Sequence, residues 1–186
     1  LDKLVFTNWK TEDFNYKDIK GELLVGLYFG FVNDVSALVA SILDNTNKKI
    51  YIFREWGSTG KTNEELAAII TSLGFSKSVI VADAAEQKSI EEIKRYGVRK
   101  IKACTKGKDS IIHGIDKLQS YELIVHPDCS GIITEFENYS WKKDKNTGEY
   151  INEPVDAFNH YIDALRYSLQ CVGLKMQTLS KDSLGL

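Results

Sequence analysis

Two side chains three residues apart near the C-terminal end, His160 and Asp163, carry the clearest chemical signal in this 186-residue sequence. They fall in EPVDAFNHYIDALRYSLQ, residues 153–170, where Ala157–Gln170 contains no Gly or Pro and Asp156 has the type of an N-cap. The stretch therefore reads as a helix. On it Phe158, Ile162, Leu165 and Leu169 form one apolar stripe. Residues i and i+3 are neighbours on a helix, which sets the imidazole beside the carboxylate. Such a pair suits metal-assisted chemistry; a polar face turned to water would use the same residues. A second acid, Asp83, ends the strand-like run Ser78–Ala82, and ligands gather at strand ends of open α/β sheets. If the last helix crosses that end, Asp83 and Asp163 converge with no basic residue beside either in sequence. That is a hard-oxygen site for Mg2+ or Mn2+. Paired ions of this kind activate water and stabilise the leaving oxygen in phosphodiester cleavage. A turn or helix-cap role for Asp83 stays open.

Two other patterns compete for attention. Gly57-Ser58-Thr59-Gly60-Lys61-Thr62 lies between a strand-like and a helical run, but the phosphate-loop pattern needs a Gly where Glu55 stands. Val79–Asp83 has the look of the strand-plus-Asp partner of such a loop, so a nucleotide-binding α/β domain is one alternative. A loop turning on two glycines, with Thr62 capping a helix, accounts for the same residues. From Lys94 to Lys108 there are seven basic residues and no acidic one. Lys100, Lys102, Lys106 and Lys108 there, with Lys142 and Lys143, are candidate phosphate contacts on a chain whose net charge of −2 argues against general nucleic-acid binding. Lysines guarding a strand edge are the competing account.

The elements that must position these groups follow from periodicity and turn chemistry. Leu23–Val32, Ser36–Leu43 and Lys49–Trp56 read as strands joined by Asn33-Asp34 and Asp44–Asn47, hence an antiparallel meander. Thr62 and Glu65 make a capping box for a helix to about Leu73. A strand at Ser78–Ala82, a helix at Lys88–Tyr96, a strand at Val98–Ala103, a helix at Ser110–Leu118 and a strand at Glu122–His126 follow. Ile132–Tyr139 is helical, and Trp141–Ile151 is a hairpin before the last helix. The fold class is α/β: a mixed sheet of three antiparallel strands followed by parallel ones, flanked by helices, with right-handed crossovers bringing the fourth strand beside the first. Residues 1–20 read as a linker or lead-in strand, 21–170 as one domain, and 171–186 as a tail with a short helix in it. A hydrophobic content of 43% supports a globular core. There is no apolar run near the ~18 residues of a membrane span and no signal-peptide core. Three cysteines without a CxxC pair fit a reduced, cytosolic setting rather than structural zinc.

Taken in order, Gly26–Ala37 (GLYFGFVNDVSA), Val81–Ile93 (VADAAEQKSIEEI), Lys106–Ser110 (KGKDS), Phe136–Trp141 (FENYSW) and Asn159–Tyr167 (NHYIDALRY) resemble the C-terminal nuclease domain of tailed-phage large terminase subunits. The likeness spans about residues 21–170 and implies a ribonuclease H-like fold. It implies a two-metal endonuclease, using Mg2+ or Mn2+, that cuts concatemeric double-stranded viral DNA during packaging in the host cytoplasm. It also implies a preceding ATPase domain, a small terminase subunit and a portal as partners. Asp83 and Asp163 match the second and third metal-binding carboxylates of the family, and His160 the histidine beside the third. The first-strand pattern of the family, GLDFG, reads Gly26-Leu27-Tyr28-Phe29-Gly30 here, so Tyr28 stands in the place of the bridging carboxylate. A phenol with a reference pKa near ~10 is a poor partner for two cations. Asp34, six residues further along an extended strand, would lie roughly 20 Å away. The resemblance thus leaves a weakened nuclease, a site completed by another acid such as Glu86 or Asp156, or a catalytically inactive module that binds DNA or the portal.

Overall fold

The structure, a computed structural model, describes residues 3–30 and 32–172. Seven strands make one mixed sheet: β1 (Trp9–Thr11), β2 (Glu22–Tyr28), β3 (Ser36–Asp44), β4 (Lys49–Ser58), β5 (Ile80–Ala82), β6 (Ile101–Ala103) and β7 (Glu122–Val125). Their order is β1-β7-β4-β3-β2-β5-β6. β2, β3 and β4 are the expected meander. β5 lies parallel to β2, as the crossover rule required, with β6 beyond it, while β7 and β1 run parallel to β4 on the other side. β3 is buried without interruption from Ser36 to Leu43, as a central strand covered on both faces must be.

Five helices cover the sheet. α1 (Asn63–Ser72) and α2 (Gln87–Arg95) pack Leu66, Ile70, Ile90 and Ile93 on one face against Val25, Leu27 and Leu38. α3 (Ser110–Gln119), α4 (Ser130–Asn138) and α5 (His160–Ser168) pack Ile115, Phe136, Ile162 and Leu165 on the other against Leu24, Val39 and Ile52. Adjacent β2 residues thus feed opposite cores, the period-two signature of a strand. The capping box of α1 is present: the Thr62 hydroxyl accepts from the Glu65 N–H at 3.1 Å, and the Glu65 carboxylate accepts from the Thr62 N–H at 3.3 Å. A separate two-stranded hairpin, β8 (Trp141–Lys143) and β9 (Tyr150–Pro154), precedes α5. Among the described residues no helix is long and apolar enough to cross a membrane.

Three boundaries differ from the sequence reading. Of the two readings for residues 1–20, the strand is the one formed. It belongs to the folded unit, since β1 pairs with β7, Phe6 is fully buried, and the Val5 N–H donates to the Tyr139 carbonyl at 2.9 Å. β2 stops at Tyr28 rather than continuing to Val32, because the chain turns back there, with the Gly30 N–H donating to the Ser36 hydroxyl at 3.0 Å. α5 begins at His160, three residues later than Ala157, and ends at Ser168 in a 3-10 turn, Leu169–Cys171. Phe158 is therefore not on the helix stripe: it lies in the preceding loop with φ 55° and is 47% exposed. The short helix expected after Cys171 falls, beyond Val172, outside the described residues.

Candidate active site

The position of α5 is set by a glycine and a buried acid. A Cβ on Gly26 would lie 1.7 Å from the Ala164 carbonyl oxygen, so the absence of a side chain lets the helix rest directly on β2. The N-terminus of α5 is not capped by its own loop. Asn159 occupies the cap position without a side-chain bond to the helix, and Asp156, expected as the cap, accepts instead from the Asn159 side-chain amide at 3.1 Å. Glu135 of α4 supplies the missing acceptors, taking the His160 N–H at 3.0 Å and the Ile162 N–H at 2.9 Å. A carboxylate from a neighbouring helix serves the same orphan donors as a local cap. Glu55 of β4 does the same for α4, accepting from the Gly131 and Ile132 N–H groups at 2.9 Å each. That occupation gives Glu55 a structural use unrelated to phosphate binding. Neither acid announced itself in the sequence, because a cap supplied across the fold has no fixed spacing to its helix.

At the carboxyl ends of β2 and β5 the register pairs Leu27 with Ala82, which leaves Tyr28 and Asp83 abreast as the next residues. α5, lying over Gly26, brings Asp163 and His160 to the same end. The Tyr28 phenol is pushed up to about 12 by burial, then by the charges of Asp34, Asp163, Asp83 and Asp156. Asp163, with 15% of its side chain exposed, is raised by burial and by Asp83, against the Arg166 guanidinium 3.2 Å away and His160. The two acids separated by eighty residues in sequence thus sit close enough for one charge to be felt by the other. Burial also pushes the Asp83 carboxyl up, but the Ala85 N–H, Lys106 and the Tyr167 hydroxyl outweigh it and hold the group below the usual range. Asp83 accepts from the Ala85 N–H at 3.0 Å, so its turn role and its place at the strand end coexist. Lys106 lies 2.6 Å from its carboxylate.

His160 stacks on Tyr28 with ring centroids 4.8 Å apart, its Nε2 is 3.8 Å from the Asp34 carboxylate, and its Nδ1 is buried with no hydrogen-bond partner. Asp34 is therefore at the site, contrary to the extended-strand estimate, because β2 ends at Tyr28 and the chain folds back. Glu86 lies in the 3-10 turn Ala84–Glu86 just past Asp83, where it accepts from the Ser89 hydroxyl at 3.2 Å. A groove of about 750 Å³ opens beside Asp163, lined by Gly107 and Asp109, the first turn of α3, Lys142 and Glu153 of the hairpin, Asp156 and Asn159.

The lysines divide. Lys106 is at the site; Lys108 lies between the groove-lining Gly107 and Asp109; Lys142 lines the groove while paired with Glu153. Lys143 lies over the Tyr150 ring at 5.1 Å on the hairpin. Lys100 and Lys102 sit just before and within the edge strand β6, short of its carboxyl end.

Among the described residues no three His, Cys, Asp or Glu side chains are grouped as a ready metal cage. The donor chemistry nonetheless favours positive charge: each of the two acids already holds a cation, Lys106 or Arg166. Two carboxylates fit one hard divalent ion; the protonated phenol of Tyr28 is a poor bridge for a second.

Residues 29–171 match the family described as the Terminase RNAseH like domain. The chain is 32% identical over 150 residues to the large terminase subunit of Bacillus phage SPP1, covering 78% of this chain and 35% of that protein. It is 30% identical over 145 residues to the PBSX phage terminase large subunit of Bacillus subtilis, covering 77% and 33%. The chain thus spans about a third of the length of these relatives. Its structure is similar to that of the large terminase nuclease domain from bacteriophage SPP1 with bound Mn, with a TM-score of 0.82 and 29% identity over 90% of this chain and 98% of that one.

Proposed function

The chain belongs to the terminase RNase H-like domain family, and from that premise we propose that it is a metal-dependent endonuclease domain cutting concatemeric double-stranded DNA for packaging. It would do so in the host cytoplasm, in one polypeptide with an ATPase domain and in company with a small subunit and portal. What supports the reading is Asp83 at the carboxyl end of β5, paired with Lys106, and Asp163 on α5 near enough for the Asp83 charge to be felt, beside a groove lined by Lys142.

Asp83 and Asp163 would hold Mg2+ or Mn2+, with Asp34 placed to add an oxygen. Bound there, the ion supplies Lewis-acid stabilisation of the phosphate and a water of lowered pKa. His160, with Nε2 toward Asp34 and Nδ1 unpartnered, holds or moves a proton at the attacking water or the leaving oxygen. Lys106, Lys108, Lys142 and Lys143 hold the backbone of the duplex by charge, with Lys100 and Lys102 extending that contact along the edge strand, which makes binding salt-sensitive. Tyr28 gives no anionic oxygen at neutral pH, so the cutting rate is low. The same residue favours a second reading, a retained fold that binds DNA or the portal without cutting.

Plasmid nicking in Mn2+ by this chain, Tyr28→Asp and Asp163→Ala tests the proposal. Tyr28→Asp should cut at least tenfold faster and Asp163→Ala not at all. Equal cutting by the chain and Tyr28→Asp sinks this account of the metal site. No cutting by either, with binding that ignores divalent ions, selects the second reading.

A further inference from the structure

Phe158 is an aromatic side chain held in a left-handed backbone conformation, φ 55°, while 47% exposed. Bulky residues rarely adopt that conformation, and burial does little here to offset its cost. The residue is bracketed by the Asp156–Asn159 hydrogen bond at 3.1 Å, both partners of which line the groove, and it lies two residues before His160. Two other exposed apolar side chains belong to segments that reach the same site. Six large ones are exposed among the described residues. Of these, Ile111 lines the groove. Val32, 86% exposed, stands two residues before Asp34, whose carboxylate is 3.8 Å from His160. Three of the six, Phe158, Ile111 and Val32, therefore lie in or next to segments that carry acids of the site.

We propose that Phe158 is a substrate-positioning wedge that enters the duplex at a base step next to the scissile phosphate. Aromatic and apolar side chains do this by partly unstacking a step and bending the duplex around it, and every base offers a face to stack on. The lysines around the groove contact phosphates without regard to sequence, and the wedge fixes which phosphate faces Asp83 and Asp163. This inference rests on the DNA-cutting reading above.

The test uses the 186-residue chain and a short duplex carrying 2-aminopurine, titrated in a Ca2+ buffer and read by anisotropy and fluorescence. Bound wild-type chain should raise the 2-aminopurine signal. Phe158→Asn should weaken binding about tenfold and abolish the rise, while Phe158→Trp retains both. Asn tolerates the left-handed conformation, so its Tm should hold or rise, which loss of a merely structural side chain would not allow. If Phe158→Asn binds and brightens the probe like wild type, the wedge is disproved and the nuclease reading stands. If the wild-type chain binds no duplex at low salt, the DNA-cutting reading fails and the wedge with it.

Discussion

Glu135→Gln should flatten the pH dependence of stability. The Glu135 carboxyl is 6% exposed, and burial pushes it from 4.5 up to about 7, against the pull of the His160, Ile162 and Tyr161 N–H groups. The folded state thus holds this proton more tightly than the unfolded chain does. Stability from this group is complete below pH 4.5, falls as pH rises, and is lost above about 7. The interval corresponds to about 3 kcal/mol, at ~1.4 kcal/mol for each pH unit. Urea denaturation between pH 5 and pH 8 measures it, with the difference between wild-type and Glu135→Gln curves as the quantity read. Asp163, also raised by burial, contributes slope of the same sign, and its charge adds to the rise at Glu135. The wild type should lose about 2–3 kcal/mol more than the variant across that range. Parallel curves would refute the reasoning: Glu135 would then be ionised throughout, its three N–H partners outweighing burial.

Other outcomes follow from the packing. Gly26→Ala should destabilise by about 3 kcal/mol or more, measured by thermal or urea unfolding, because the new methyl would meet the Ala164 carbonyl and lift α5. It should also weaken Mn2+-dependent protection, since Asp163 rides on that helix. Thr62→Ala should cost about 1 kcal/mol, by the same unfolding measurement, through loss of the capping box of α1. It should leave DNA binding unchanged.

The meander was legible because Ser36–Leu43 and Lys49–Trp56 are long, apolar and joined by Asp44–Asn47, whose side chains close the turn locally. The place of Asp83 beside the end of β2 was legible from topology, since parallel strands share an end, whereas that of Asp163 hung on the last helix crossing that end. What escaped notice depends on distant partners. β1 is three residues long and is defined by the strand it joins, β7. The start of α5 could not be placed from Asp156 because its cap is Glu135, twenty-five residues upstream of His160. Asp34 was misplaced because an apolar run does not reveal where the chain folds back on itself. Phe158 fits a helix stripe by spacing, yet a helix that starts two residues later leaves it in the open.

The succession from Glu55 to α4 and from Glu135 to α5 ties the reacting end of the molecule to the middle of the sheet, through carboxylates rather than through the adjoining chain. Within the segment between Pro154 and His160, Val155 is held by the Ser140 carbonyl, while the side chains of Asp156 and Phe158 do not fix the helix. Asp156 to Phe158 can therefore change in composition without shifting Asp163, which makes them the part of the domain best able to alter what this end of the sheet grips.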